Sequence, residues 1–351
     1  MADFAPGSTG TDEVLFARTG ALGRVLLNRP RAINSLTSDM VEAMRTQLTA
    51  WADDEAITAV ALEGAGERGF CAGGDVRAVR EAHLAGGTGG LDFWAHEYVL
   101  DAQLAEYPKP VIGVMDGIVM GGGLGLTMFG AARWTTERSR IAMPETIIGF
   151  FPDVAATYLL SRAPGEAGTH VALTGTTITG ADAVHLGLAD AVVDSSSVSG
   201  LLAAIAAGGP IEAVPDGAAT TQGSQLAAAR SWIDECYVGD DPVIILERLR
   251  EHADPAARAA AAEIAQRSPL SVAVTLEALR RATHAGSPRE VLESDTVIGR
   301  AMVEAPDFAE GVRAQLVDKD RQPRWEHDSL ADVPRDRVLV AFSDEVEGAL
   351  G

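Results

Sequence analysis

The stretch AVALEGAGERGFCAGGD, residues 59–75, combines a short apolar run with three glycines, Gly64, Gly66 and Gly69, that spell G-x-G-x-x-G. In a dinucleotide-binding turn the third glycine lies inside a helix, and a second strand ends in an acid about 20 residues further on. Here two more glycines follow before any helical pattern, and the acid at that distance, Glu81, lies within a helical pattern. The context therefore argues against a dinucleotide site and favours a structural glycine-rich turn.

A second glycine cluster, MDGIVMGGGLGL, occupies residues 115–126 and, like the first, follows a predicted strand and precedes a helical pattern. Backbone N–H groups at such a junction have no partner within the helix and carry partial positive charge. Two N–H groups from two loops, aimed at one point, make an oxyanion hole, and glycines let a substrate approach closely because they lack a Cβ. Spacing alone leaves open the alternative that both clusters are only tight turns.

Short strands alternate with helices around these clusters, as far as about Asp194. Apolar alternation predicts two paired strands, EVLFAR and GRVLLN, around a turn at Gly20. A helix is predicted to begin at Thr37 or Ser38, because apolar residues recur at helical spacing after this capping position. Further strands are predicted at ITAVALEG, KPVIGVMDG, SRIAMPE and LADAVVD, and further helices at DVRAVREAHL, LDFWAHEYVLDAQLAEY, GGGLGLTMFGAA, EAGTHVALTG and TGADAVHLG.

The composition changes after residue 205. Residues 206–223, AAGGPIEAVPDGAATTQG, are rich in Gly, Ala, Pro and Thr, which is typical of a linker. The segments beyond it have helical periodicity and a high alanine content. We therefore predict three parts: a core with the active site at 1–205, a linker at 206–223 and an all-helical region at 224–351.

The chain is strongly acidic, with 28 basic and 50 acidic residues and a net charge of −22. This balance argues against nucleic acid as a partner, because no basic footprint is present. An anionic substrate would need a local cluster of arginines, since the only lysines are Lys109 and Lys319. No apolar run is long enough to span a bilayer, and no secretory signal is recognisable.

The two cysteines, Cys71 and Cys236, cannot form a disulfide framework, and neither they nor the seven histidines have the spacing of a metal site. We therefore expect a cytoplasmic protein without a bound metal.

Four segments in order, LNRPRAINSLTSDM, GFCAGGDVRAV, MDGIVMGGGLGL and AMPETIIGFFPD, resemble the signatures of the crotonase (enoyl-CoA hydratase/isomerase) superfamily. The resemblance runs from about Val14 to Trp325 and extends to FWAHEYVLDAQLAEYPKPV and DFAEGVRAQLVDKDRQPRW. It implies an α/β fold, a crotonase-like spiral of ββα turns followed by a C-terminal all-helical region. It also implies an acyl-CoA substrate, no cofactor besides the coenzyme A of that substrate, and a possible homo-oligomer, a trimer or hexamer.

The resemblance also assigns roles in the site. The backbone N–H groups of Ala72 and Gly122 correspond to the oxyanion-hole donors that hold the thioester oxygen. Hydratases of the superfamily use two glutamates, and the first of these positions falls on Gly125 here, whereas the second is Glu145. Asp153 stands where the hydratases have a glycine, and the pair of Glu145 and Asp153 resembles that of the family's 3-hydroxyacyl-CoA hydrolases.

The expected reaction is therefore hydrolysis of a short-chain 3-hydroxyacyl-CoA thioester, 3-hydroxyisobutyryl-CoA to 3-hydroxyisobutyrate and coenzyme A, as in valine degradation. The alternative is an enoyl-CoA hydratase or isomerase that uses Glu145 alone. Two nearby carboxylates in an apolar pocket push each other's pKa apart. Glu145 is predicted to act as general base or nucleophile and Asp153 as its partner, although Asp153 is also a candidate cap of the helix that follows.

Further positions are assigned by the same resemblance. Glu97 is predicted to contact the substrate together with Gly122, and Arg29 and Arg31 are candidates for the coenzyme A phosphates, although a solvated glutamate and plain surface arginines are the alternatives. Ala155 and Ala156 stand where the hydrolases tend to have glycines, which narrows the space beside the acid pair.

Overall fold

The computed structural model describes residues 3–87 and 89–343, so residues 344–351 of the predicted helical region lie outside the described part. Internal contacts divide the chain into two compact units, each built from three segments. The first unit comprises Met1–Asp75, His96–Ile141 and Ile178–Ser224, and the second comprises Val76–Ala95, Ala142–Thr177 and Gln225–Gly351. The three-part division predicted from composition follows chain order, whereas these units interleave, and it stays a prediction.

Two β-sheets form the framework of the first unit. Their strands in chain order are β1 Ala5–Pro6, β2 Val14–Thr19, β3 Leu22–Leu27, β4 Ala59–Gly64, β5 Gly69–Cys71, β6 Val111–Met115, β7 Ile118–Met120, β8 Ala132–Thr136, β9 Arg140–Ala142 and β10 Ala191–Val193. The larger sheet has the order β1-β2-β3-β4-β6-β8-β10 and the smaller one β5-β7-β9. Each turn of the chain adds one parallel strand to the larger sheet, then one strand to the smaller sheet. The predicted spiral of ββα turns is thereby confirmed.

The fifteen helices that the described residues contain follow in chain order. They are α1 Ser38–Asp53, α2 Val76–Leu84, α3 Gly89–Ala105, α4 Gly122–Gly125, α5 Ala156–Leu160, α6 Ala167–Thr174, α7 Gly180–Leu186, α8 Val198–Ala206, α9 Gln225–Tyr237, α10 Pro242–Glu251, α11 Pro255–Ile264, α12 Pro269–Ala282, α13 Pro288–Glu304, α14 Pro306–Val312 and α15 Arg335–Val340. No helix in the described part of the chain is long and apolar enough to cross a membrane.

Local sequence explains the start of the spiral. Strands β2 and β3 pair in antiparallel fashion around Gly20, whose φ of 57° is the left-handed conformation that glycine adopts without strain. Helix α1 begins after Thr37, whose side chain accepts a hydrogen bond from the Met40 N–H. The apolar stripe predicted for this helix is buried, which stabilises the helix against the sheet.

The glycines of residues 59–75 serve close packing of strands rather than a phosphate turn. A Cβ on Gly69 would lie 2.3 Å from the nitrogen and 2.5 Å from the oxygen of Ile118 on β7. A Cβ on Gly64 would lie 2.6 Å from the carbonyl oxygen of Phe70 on β5. Only glycine permits these backbone approaches, which bring β5 against both β4 and β7.

Helices of the second unit begin with a repeated local signal. In four of them a capping Asp or Ser directly precedes a proline at the first helical position, which suits proline because its missing N–H would have no partner there. The four cap–proline pairs are Asp241–Pro242, Asp254–Pro255, Ser268–Pro269 and Ser287–Pro288. Each capping side chain accepts a backbone N–H of its own first turn, so the predicted helices of this region are confirmed as separate elements.

The segment after the second glycine cluster differs from its prediction. The predicted helix GGGLGLTMFGAA is helical only over Gly122–Gly125, because five glycines within the ten residues 121–130 give little helical propensity. The short strands β5, β7 and β8 were not predicted from the sequence. Within the predicted linker, Ala219 pairs with Val192 in both directions, so this segment extends the edge at β10.

Candidate active site

The two glycine clusters lie side by side in the first unit. A Cβ on Gly73 would be 3.1 Å from the Met120 oxygen and 3.5 Å from the Gly122 nitrogen. Gly122 is the first residue of α4, so its N–H has no acceptor within the helix. Tight packing at Gly123, where a Cβ would be 2.7 Å from the Cys71 oxygen, fixes the second loop against the first.

In the first glycine loop, the backbone N–H that is available as a donor lies two residues after Ala72, the predicted donor. The Ala72 N–H donates to the Ile33 carbonyl at 2.9 Å, so the prediction that it is a free oxyanion donor is not supported. Gly74 forms a parallel bridge with Leu36, in which Leu36 donates to Gly73 and accepts from Asp75. The N–H of a residue in that position points away from the paired strand. Within residues 3–87 and 89–343 the Gly74 N–H has no acceptor, so Gly74 replaces Ala72 as the candidate donor.

Glu97 lies beside the start of α4, and its contact with the substrate stays a prediction. Its side chain is only 1% exposed, and Oε1 lies 1.9 Å from the position that a Cβ on Gly122 would take. A second acid, Asp101, follows one helical turn later on α3 and is completely buried. Asp101 was not predicted as a site residue, although its spacing of four residues from Glu97 places both acids on one face of the helix.

Cys71 is adjacent to these acids but is not a nucleophile. Burial raises the pKa of its thiol to about 12, and the negative charges of Glu97 and Asp101 add to the effect. The Sγ atom lies 3.2 Å from the Asn34 carbonyl, to which it donates. A neutral, buried thiol has a structural role here.

The two arginines that follow β3, Arg29 and Arg31, differ in whether their charge is available to a ligand. The Arg29 guanidinium contacts Glu13 at 3.1 Å and Asp75 at 3.6 Å and donates to the Ser35 carbonyl, so its charge is used within the fold. Arg31 is exposed, and among the described residues it forms no ion pair. The guanidinium of Arg68 donates to the Arg31 carbonyl at 3.3 Å, which gives Arg31 a second cation as neighbour. We therefore retain Arg31 as the candidate phosphate ligand rather than Arg29.

The two predicted catalytic acids lie in the second unit, at the ends of one short loop. Glu145 begins a 3₁₀ turn, Glu145–Ile148, which Gly149 caps in left-handed conformation, and Asp153 follows four residues after Gly149. Both side chains are buried, with 7% of Glu145 and 4% of Asp153 exposed. Phe150 lies between them and stacks on Trp94 with ring centroids 4.5 Å apart, so the loop carries an aromatic side chain into an apolar cluster.

Asp153 occupies an unusual turn rather than a helix cap. Helix α5 begins after Ala155 and has no side-chain capping bond, so the alternative that Asp153 merely caps this helix is not supported. The Asp153 carbonyl accepts the Ala156 N–H at 2.8 Å, and both residues between them, Val154 and Ala155, have positive φ. The Ala155 N–H donates to Asp295 on α13, an acid that was not predicted as a site residue.

The residues described contain no group of three or more His, Cys, Asp or Glu side chains arranged to hold a metal ion.

A spiral of ββα turns that packs two glycine loops together is the architecture of a crotonase-fold protein. A family model described as enoyl-CoA hydratase/isomerase matches residues 22–342. The chain belongs to the enoyl-CoA hydratase/isomerase family. It is 37% identical to the mitochondrial 3-hydroxyisobutyryl-CoA hydrolase of Rattus norvegicus, over 93% of this chain and 87% of the relative.

Two solved structures are also similar. A carnitinyl-CoA dehydratase from Mycobacterium thermoresistibile is 45% identical, with a TM-score of 0.92 over 97% of this chain and 99% of that chain. An enoyl-CoA hydratase from Rhodobacter sphaeroides 2.4.1 is 36% identical, with a TM-score of 0.88 over 95% of this chain and 97% of that chain. These comparisons confirm the family and the fold expected from the sequence motifs.

Proposed function

We propose that this protein hydrolyses a short-chain 3-hydroxyacyl-CoA thioester, with 3-hydroxyisobutyryl-CoA as substrate in valine degradation. The observation that carries the proposal is the pair of buried acids, Glu145 and Asp153, on one short loop, together with Gly125 at the position of the hydratases' first glutamate. The name of the rat relative, a 3-hydroxyisobutyryl-CoA hydrolase, supports the same reaction.

The thioester carbonyl is the group to be activated. In our proposal the N–H groups of Gly74 and Gly122 hold its oxygen, which becomes negatively charged when a nucleophile adds to the carbon. Fixed backbone donors lower the barrier because they do not have to reorganise as the charge develops. Glycine at both positions leaves room for the substrate, and the carboxylate of Glu97 beside Gly122 gives the substrate a polar contact there.

Glu145 supplies the base or the nucleophile. As a base it takes a proton from water, the hydroxide oxygen adds to the carbonyl carbon, and collapse of the adduct breaks the C–S bond. As a nucleophile it forms a mixed anhydride while the thiolate leaves, and water then cleaves the anhydride. In both routes the thiolate receives a proton, and Asp153 delivers it or orients the 3-hydroxyl of the acyl group.

The phosphates of coenzyme A are anionic, so a chain with a net charge of −22 needs local cations to bind them. We propose that Arg31, with Arg68 as its neighbour, binds the phosphates, whereas Arg29 keeps the loop in place through Glu13 and Asp75. No other cofactor is proposed, because the steps above use only carboxylates, amides and water. Dialysis against a chelator should therefore leave the turnover unchanged.

A second candidate function is a hydratase, dehydratase or isomerase that uses Glu145 alone. The description of the 45% identical structure as a carnitinyl-CoA dehydratase favours it. One carboxylate is enough to move a proton along an acyl chain, so Gly125 does not exclude this chemistry. The two candidates differ in a single product, because only a hydrolase releases free coenzyme A.

The test incubates the protein with 3-hydroxyisobutyryl-CoA and a thiol reagent, and in parallel with crotonyl-CoA while the double-bond absorbance is followed. We expect thiol release from the first substrate. We expect Asp153→Asn to lower that rate by about 10²-fold or more, whereas the control Asp216→Asn, at an exposed acid, retains it. Hydration of crotonyl-CoA without thiol release would establish the second candidate, and full thiol release by Asp153→Asn would remove Asp153 from the mechanism.

We also propose a cytoplasmic location and a homo-oligomeric assembly, a trimer or hexamer. Both cysteines are free and buried, which suits a reducing compartment. Cell fractionation and light scattering on the purified protein test the two statements, and a monomer at micromolar concentration would contradict the second.

A further inference from the structure

Asp295 is a buried acid for which the proposed reaction has no use. It lies in the middle of α13, on the face formed by Val291, Leu292, Ile298 and Met302, and its side chain is only 1% exposed. A carboxyl group in such a place is costly unless it forms hydrogen bonds that compensate for lost hydration. The contacts of Asp295 should therefore reveal what it does.

One oxygen of Asp295 has a defined partner. Its Oδ2 accepts the N–H of Ala155 at 2.8 Å, and this bond joins α13 to the turn that carries Asp153. Its Oδ1 is buried and has no hydrogen-bond partner among residues 3–87 and 89–343. The bond to Ala155 is therefore the specific polar contact that the structure gives this side chain.

The turn that Asp295 contacts is strained. Asp153 accepts the Ala156 N–H at 2.8 Å, and the two central residues have φ values of 52° at Val154 and 58° at Ala155. Positive φ at both central positions defines a type I′ turn, which glycine, asparagine and aspartate dominate. A β-branched residue and an alanine in these positions persist only if surrounding contacts hold them.

The Ala155 N–H belongs to the central peptide of this turn. If that peptide rotates, a type I′ turn becomes type II′, and its second central residue returns to negative φ. Rotation would thus relieve the strain at Ala155, while Val154 would keep its positive φ. It would also move the backbone that carries Asp153. The hydrogen bond to Asp295 opposes this rotation, because a rotated peptide points its N–H away from α13.

We propose that Asp295 is a positioning residue, which holds the Asp153–Ala156 turn in its strained form and thereby fixes the carboxylate of Asp153. The inference rests on the proposed function for its effect on turnover, but its structural part stands without it. Burial raises the pKa of Asp295 well above its usual range, and the charge of Asp153 adds to the effect.

The test compares replacements that keep or remove the acceptor. Asp295→Asn keeps an oxygen for the Ala155 N–H, whereas Asp295→Leu fills a similar volume without one. Ile298→Val, one turn further along the same buried face, is the control for a general loss of packing in α13. We expect Asp295→Leu to lower kcat for thioester hydrolysis by about 10²-fold, with KM within about threefold, because the reacting group is misplaced rather than lost. Asp295→Asn and Ile298→Val should retain kcat.

A double-mutant cycle separates positioning of Asp153 from a merely structural role. In the Asp153→Asn background, Asp295→Leu should have little further effect on kcat, since the group that it positions is already gone. Equal effects in both backgrounds would overturn the proposal. So would an Asp295→Asn variant that loses as much activity as Asp295→Leu.

Amide hydrogen exchange tests the structural part without activity. We expect exchange of the Ala155 N–H, measured by NMR, to be at least about tenfold faster in Asp295→Leu and unchanged in Asp295→Asn. An unchanged rate in Asp295→Leu would refute the inference even if the enzyme hydrolyses the thioester. Conversely, a wild-type protein without hydrolase activity would refute the proposed function, while the exchange rates still decide whether Asp295 holds the turn. If Asp295→Leu does not fold, Asp295→Ala in the same two assays replaces it.

Discussion

Gly122→Ala is the substitution for which the structure gives the sharpest expectation. The added Cβ would lie 1.9 Å from Oε1 of Glu97, 3.1 Å from its Cδ and 3.3 Å from Cδ1 of Leu36. Non-bonded contacts of a Cβ below 3.0 Å essentially never occur, so the carboxylate has to move by about 1.1 Å. Residue 122 has no positive φ, so the backbone itself accepts an alanine and the clash alone determines the cost.

The magnitude follows from this displacement. Overpacking of a buried site costs about 1–3 kcal/mol of stability. A misplacement of about 1 Å in an active site can reduce the rate about 10²-fold, equivalent to about 2.7 kcal/mol. We therefore expect Gly122→Ala to unfold at lower urea concentration and to lose about two orders of magnitude in kcat/KM for the thioester.

Urea unfolding of a double-mutant cycle tests the geometric cause. Glu97→Ala removes the atoms that the new methyl group meets, so in that background Gly122→Ala should cost no more than about 0.5 kcal/mol. Gly200→Ala on α8 is the control, because a Cβ there meets nothing within 4 Å and should stabilise the helix by up to about 1 kcal/mol. An equal cost of Gly122→Ala with and without Glu97 would refute the reasoning.

Three further predictions concern stability and binding. Burial lowers the pKa of His170 to about 4, so between pH 6.5 and pH 4 the unfolded state binds a proton that the folded state does not. The free energy of unfolding should therefore fall by about 3 kcal/mol over this range, and urea titrations of His170→Gln should lack this loss. Ala155→Gly should raise the unfolding free energy by about 1 kcal/mol because it removes left-handed strain, whereas Ala156→Gly, in right-handed α5, should lower it by a similar amount. Arg31→Ala should raise KM for the coenzyme A thioester about tenfold but leave KM for the matching pantetheine thioester unchanged, and equal effects on both would remove Arg31 from the phosphate site.

The elements that the sequence predicted correctly are those with strong local signals. The hairpin of β2 and β3 has alternating apolar residues around Gly20, and α1 has a capping threonine before a long apolar stripe. Four of the helices after residue 224 carry cap–proline pairs at their starts. In each case a few neighbouring residues determine the element, so no knowledge of distant contacts was needed.

The elements that the sequence missed depend on distant partners. Strands β5 and β7 have three residues each, too few to show alternation, and they exist because they pair with one another. The donor in the first glycine loop is another example. The choice between Ala72 and Gly74 depends on two residues outside the glycine cluster. The Ala72 N–H donates to Ile33, whereas in the pairing with Leu36 the donor is Asp75 and not Gly74.

Asp295 was missed for a different reason. Asp295 follows Leu292 by three residues and precedes Ile298 by three, so it stands on the apolar face of α13 where a charged side chain is unexpected. That position is a usable signal, since a lone acid in an apolar stripe is usually either paired or functional. Its partner could not be found from the sequence, because the N–H of Ala155 is a backbone group 140 residues away and leaves no trace in residue type.

The alanines beside Asp153 now have a physical explanation. The resembled hydrolases tend to have glycines at positions 155 and 156, but the two positions differ in this chain. Ala156 begins a right-handed helix and carries no conformational cost, whereas Ala155 has left-handed φ and a methyl group there costs about 1–2 kcal/mol. A charge-assisted or strong buried hydrogen bond contributes about as much, so the bond from Ala155 to Asp295 can offset the strain. The turn that carries Asp153 therefore tolerates a methyl group at residue 155 only while α13 presents a hydrogen-bond acceptor. Asp295 and Ala155 are thus energetically coupled, and neither residue should be interpreted without the other.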